Sequence, residues 1–213
     1  MQIQMLILLA PAILIALTIH EYAHGWVAYR LGDPTARNAG RLTLNPLAHL
    51  DPIGTIVLVI TTMSHLGSFG WAKPVPVNHY NFSRPRRDSM LVSFAGPFSN
   101  ILTACAFGFI YNHAGAVNSI SLLSFCKLCV VINIGLAFFN LLPVPPLDGS
   151  HILLSLLPNQ YIPGYITITR YVPIAFLILI IAERSFRVPL LSYILDPLFI
   201  PFRNFLLFII NAL

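Results

Sequence analysis

The chain has 213 residues, 57% of them hydrophobic and 9% charged, with a mean hydropathy of +0.79. Soluble domains carry about 25% charged residues, so this composition excludes an ordinary soluble enzyme and predicts an all-α integral membrane protein with no room for a second globular module. The formal charge of +5 comes from 12 basic residues scattered between apolar segments, which suits loops on an anionic lipid surface and argues against a nucleic-acid partner.

The first predicted element runs from Ile3 to Tyr29, and its apolar stretch Ile3–Ile19 contains no charge. No basic residue precedes Arg30, so a cleavable leader is not expected and the segment should stay as a membrane helix. It carries His20-Glu21-Tyr22-Ala23-His24. Residues four apart share a helix face, so His20 and His24 can offer two imidazole nitrogens to one tetrahedral metal, with Glu21 beside them as a non-ligand carboxylate. Zinc lowers the pKa of a bound water to about 7, and a neighbouring carboxylate can take its proton, which is the chemistry of peptide hydrolysis. Two imidazoles and a carboxylate in hydrocarbon are costly unless they serve a buried site.

A polar connector rich in Pro, Gly and Asn follows from Asp33 to Pro52. Ile53 to Leu66 is apolar but too short for a spanning helix, and it reads as a re-entrant or interfacial segment. Phe69 to Asn78 has prolines and β-branched residues that forbid a helix interior, so an extended loop or edge strand able to pair with an unwound substrate is expected. Further spans are predicted at Met90–Asn112, Ser119–Leu142, Tyr165–Ala182 and Pro189–Ile210, giving five or six crossings. Seven of the 12 basic residues lie between Arg30 and Arg87, which, if Ile53–Leu66 does not cross, places those loops in the cytosol, the N-terminus outside and the metal nearer the cytosolic face. Glu183, Arg184 and Arg187 then fall outside, against this orientation. Cys126 and Cys129 form a CxxC inside an apolar helix, where packing is the simpler reading than redox chemistry or a second metal.

A catalytic zinc needs a third protein ligand. The astacin-like extension is excluded because Val27 and Arg30 stand where Gly and His would be required. The other glutamate, Glu183, sits beside Arg184 at a membrane boundary and reads as a solvated interface residue. Asp148 follows a helix broken by Pro143-Val144-Pro145-Pro146, where irregular backbone can line a polar cavity. It is the better ligand candidate, with a simple turn or N-cap as the structural alternative.

His20-Glu21-Tyr22-Ala23-His24, Gly96-Pro97-Phe98-Ser99-Asn100 and Asn140-Leu141-Leu142-Pro143-Val144-Pro145-Pro146-Leu147-Asp148-Gly149 together resemble the site-2 protease family of intramembrane zinc metalloproteases, in its compact prokaryotic form without PDZ or CBS domains. The resemblance covers most of the chain to about Leu157. It implies one zinc ion held by His20, His24 and Asp148, Glu21 as general base, and Asn140 near the scissile carbonyl, where a helix-end cap is the alternative. Asn100 matches a position that supports the site or contacts substrate, or packs tightly beside Gly96. Ser150 replaces the glycine usual after Asp-Gly. The expected protein is a single transmembrane metalloprotease domain over 1–213, with a catalytic core to about 157 and accessory helices over about 164–211. Its expected place is a prokaryotic cytoplasmic membrane and its expected partner a transmembrane protein substrate. His49, His65, His79, His113 and His151 read as interfacial or hydrogen-bonded residues, with His151 held in reserve as a supporting partner of Asp148. A metal transporter, or a non-catalytic membrane scaffold, is the alternative function.

Overall fold

The computed structural model describes residues 2–63, 71–114, 119–172, 174–175, 178–179, 182–183 and 189–212, and the statements below concern these. They are helical throughout, with no named strand among them. Helix α1 covers Gln2–Arg30, a short α2 Thr35–Asn38, and α3 Pro52–Met63. Two long helices follow, α4 over Pro85–His113 and α5 over Ile120–Leu141, then α6 over Asp148–Leu156, α7 over Ile162–Thr169 and α8 over Leu190–Ala212. Four of these are long and apolar enough to cross a membrane: Ile7–Arg30 within α1, α4, α5 and α8. Helix α3 has 12 residues, about 18 Å at 1.5 Å per residue, and falls short of that length. The expected Ile53–Leu66 segment is therefore a short helix as far as it is described; residues 64–70, His65 among them, lie outside the described residues, as do Arg184 and Arg187.

Side-chain contacts give the helix directions. His20 and His24 on α1 meet Asn100 and Val92 on α4, in reverse order, so these two helices are antiparallel. Asn100 meets Asn133 and Phe107 meets Phe125, so α4 and α5 are antiparallel as well. Helix α8 sets Phe199 and Phe202 against Phe138 of α5, and Ile210 against Gly108 and Asn112 of α4. It therefore runs parallel to α4 and begins at the end of the bundle that carries His20 and His24. Ala104, Val130, Ile134, Leu206 and Ile210 form the apolar core where α8 packs on α4 and α5. Gly108 matters here, because a Cβ at that position would collide with Ile210.

Around the histidine end, loops are tied down by hydrogen bonds as well as by the apolar cluster of Ala28, Phe82 and Val92. Asp33 is fully buried, and its carboxylate accepts from the backbone N–H and hydroxyl of Thr35, from Asn78 N–H at 2.7 Å and from Asn81 Nδ2 at 2.7 Å. This knot joins the turn after α1 to the segment before α4. The expected edge strand is realised only as an isolated antiparallel bridge between Leu50 and Ala72, followed by extended backbone to Asn78. Arg41 donates to the carbonyls of Lys73 and Pro74 and pins that stretch from outside. Arg86 reaches from the start of α4 to Asn159 Oδ1 and the Leu157 carbonyl, fixing the end of α6.

Candidate metal centre

The buried faces of α1 and α4 meet at the two histidines of the first motif. His20 and His24 are both buried, with Nε2 atoms 3.0 Å apart. The approach of α4 depends on Gly96, because a Cβ there would stand 2.6 Å from His20 Cε1 and against His24 Nε2. Past the end of α5 the chain folds back through Val144 and Leu147, and α6 starts at Asp148. Gly149 permits this return, because a Cβ on it would run into the Leu141 and Leu142 carbonyls. Asp148 Oδ2 consequently reaches within 3.2 Å of His20 Nε2 and 3.3 Å of His24 Nε2. His20, His24 and Asp148 form the one group of three or more His, Cys, Asp or Glu side chains among the described residues with converging donor atoms.

The protonation pattern tests whether a metal fits. His24 Nδ1 lies 2.7 Å from the Val92 carbonyl, which can only accept, so the proton sits on Nδ1 and Nε2 presents a lone pair. His20 Nδ1 lies 2.7 Å from Asn100 Oδ1 and is held the same way. Asp148 Oδ2 is buried without a hydrogen-bond donor. Three electron-rich atoms thus face one another in a buried space, which is unfavourable unless a cation sits between them. A tetrahedral ion with ligand bonds of about 2.0–2.1 Å sets its ligands about 3.3–3.4 Å apart, close to the spacings found here. The residues present fit zinc.

Glu21 is half-buried on the same helix turn, and its Oε2 accepts the Val75 backbone N–H at 2.8 Å. Val75 is itself buried, its side chain 3.1 Å from where a Gly25 Cβ would stand. Pro74 and Pro76 cannot donate, while the N–H groups of Lys73 and Asn78 are engaged by His49 O and Asp33. Asn140 is half-buried and donates one N–H to Leu136 O at 3.0 Å, a bond within its own helix. Glu183 lies outside the group and accepts the Leu191 N–H at 2.9 Å, capping the start of α8. His49 and His113 bond to the carbonyls of Thr43 and Phe109, and His79 to Ser89 Oγ. His151 is exposed and makes no hydrogen bond to Asp148 among the described residues, so its expected supporting role is not met. Cys126 and Cys129 are buried and unbridged, as packing residues would be.

Sequence reasoning missed the groups that orient the site from behind. The Val92 carbonyl and the Val75 amide belong to the backbone and leave no mark in side-chain identity. Asn133 is different: it is fully buried, donates to Cys129 O at 2.8 Å and accepts from Asn100 Nδ2 at 2.9 Å. A lone amide inside an apolar span is a signal that could have found it.

Known proteins resemble this chain in the same terms. The model of peptidase family M50 matches residues 106–180, a stretch that includes Asp148. YwhC of Bacillus subtilis (strain 168), named as a putative zinc metalloprotease, is 39% identical over 212 residues, covering 96% of this chain and 91% of that protein. Two mycobacterial proteins named Rip2 carry the same description: that of Mycolicibacterium smegmatis is 30% identical over 149 residues, 67% of this chain and 54% of the relative, and that of Mycobacterium tuberculosis H37Rv is 32% identical over 142 residues, 64% and 52%. No solved structure matches the chain. With a near full-length relative at this identity, four membrane-length helices and a three-ligand site that fits zinc, the chain belongs to peptidase family M50, the site-2 protease family, and is a membrane zinc metalloprotease.

Proposed function

We propose that His20, His24 and Asp148 hold one zinc ion per chain and that the protein is an endopeptidase cutting transmembrane substrates within or beside their helices. The observation that carries this reading is the convergence of three bare acceptor atoms, 3.0–3.3 Å apart, in a buried space. Zinc bound there supplies a Lewis acid and a water of lowered pKa. Glu21, with one carboxylate oxygen held by the Val75 N–H, would serve as the general base and proton carrier toward the leaving amine. Asn140 keeps a second N–H beyond its bond to Leu136 O, which supports a role in steadying the oxyanion. A peptide bond in an intact helix is shielded by its own hydrogen bonds, so the substrate must unwind at the site.

The same reading covers topology. Helix α8 begins at the metal end of the bundle, and Glu183 bonds to its first turn, which supports four crossings rather than five or six. Glu183 then falls on the same face as Arg30, Arg37, Arg41 and the basic residues up to Arg87. This favours a cytosolic metal face in a prokaryotic inner membrane. The packing of α8 against both α4 and α5 supports the reading of 1–213 as a single domain, with the C-terminal helix joined to the core.

Purification in detergent, zinc quantification and cleavage of a model single-span substrate test the proposal. The wild type is expected to hold about one zinc and cleave; Glu21→Gln is expected to keep zinc and lose about 100-fold or more in turnover. Full activity in Glu21→Gln would refute the general-base role. Metal flux into proteoliposomes without cleavage would favour a transporter.

A further inference from the structure

We propose that Asn133 is a positioning residue for the metal centre, acting through Asn100 to fix the tautomer and ring orientation of His20. This rests on His20 being a zinc ligand. The amide of Asn100 touches three groups: His20 Nδ1 at 2.7 Å, Ala16 O at 3.1 Å and Asn133 Oδ1 at 2.9 Å. Asn133 in turn touches Cys129 O at 2.8 Å. Both asparagines are completely buried, so no water can exchange for these partners.

Backbone carbonyls set the direction of the chain, because a carbonyl only accepts. Cys129 O requires the NH2 end of Asn133, which leaves Asn133 Oδ1 facing Asn100. Ala16 O and Asn133 Oδ1 together take both hydrogens of the Asn100 NH2. Asn100 Oδ1 is then the group left for His20, and it can only accept, so His20 must carry its proton on Nδ1 and leave Nε2 bare toward Asp148 and His24. Turning Asn133 over would set its oxygen against Cys129 O and its NH2 against that of Asn100, and turning Asn100 over would set its oxygen against both Asn133 Oδ1 and Ala16 O, in a dry interior where each unmade bond costs the full desolvation of its groups. Three helices thereby determine one lone pair. His24 needs no such relay, since the Val92 carbonyl holds it directly.

The test compares Asn133→Leu, Asn100→Leu and the double variant in detergent, reading zinc affinity by chelator competition and, separately, the thermal midpoint of the metal-free protein. Partners that orient metal-binding histidines are typically worth about 10–100-fold in affinity. Asn100→Leu is expected to weaken zinc binding by about that range and Asn133→Leu by about ten-fold, with the double variant no weaker than Asn100→Leu alone. A purely structural Asn133 would lower the metal-free midpoint while leaving zinc affinity at the wild-type value, and that result overturns the proposal, as does a double variant that weakens binding by the product of the two single effects. If the leucine variants fail to fold, the tautomer of His20 in the metal-free wild type, read from labelled-histidine NMR with assignment by His20→Gln, decides. Nδ1–H supports the relay and Nε2–H overturns it. Failure of the wild type to bind zinc would instead refute the metalloprotease assignment of these ligands, while the tautomer measurement still judges the relay.

Discussion

The two halves of the helical bundle are held together by different physics. At the metal end, α1, α4 and α5 meet through His20, Asn100 and Asn133, each with directional partners and almost no freedom to substitute. Where α8 packs on α4 and α5, Ala104, Val130, Ile134, Leu206 and Ile210 meet mainly by shape, with one directional bond from Asn112 to the Ile210 carbonyl. Directional contacts fail all at once when a partner is removed, because a buried polar group is left unpaired. Apolar packing in lipid fails by degrees, because the membrane is as apolar as the core and mainly the dispersion contacts across the new void are lost. Function sits in the first kind of region, and the second holds it in register.

Asp148→Ala should break the contrast most sharply. Removing the carboxylate leaves two imidazoles, and zinc content by elemental analysis is expected to fall to background, with cleavage abolished, while helicity by circular dichroism stays at the wild-type level. Gly96→Ala comes next: one methyl group on α4 would press on both imidazoles, so zinc affinity is expected to drop at least ten-fold by chelator competition. A wild-type affinity in this variant would mean that α4 does not define the site.

At the far end, Ile210→Ala is expected to cost about 1–3 kcal/mol of stability, below the usual range for a soluble core because the transfer contribution is missing, with zinc stoichiometry unchanged. Loss of zinc in that variant would erase the distinction between the halves.

The smallest effect concerns Asp33, in the loop knot outside the spanning helices. Burial alone would raise its carboxyl, but hydrogen bonds from Thr35, Asn78 and Asn81 more than reverse this and hold it below the ordinary carboxylate range. Its folded pKa is therefore lower than its unfolded value of about 3.9, so its contribution is complete above that value and is lost as pH falls through the folded pKa. Asp33→Asn is expected to lower the thermal midpoint by a few degrees at pH 7 and to flatten its fall as the pH drops below about 4.

What the sequence determined by itself is what depends on periodicity and local chemistry. A long uncharged run gives α1, and the four-residue spacing puts His20 and His24 on one face with Glu21 beside them. Apolar length gives α4, α5 and α8 within a few residues of their observed ends. Asp148 was legible as a candidate because a polar residue after a proline break needs a reason to be there. The direction of α8 was not legible: hydropathy marks its length, and only its contacts with Phe138, Gly108 and Asn112 reveal which way it runs. Nor could sequence say that Gly96 is the spacing that admits two imidazoles, that the Val75 amide meets Glu21, or that Asn133 lies behind Asn100. Those are distances between helices far apart in the chain, and a one-dimensional pattern records which face of a helix is polar but not what stands opposite it.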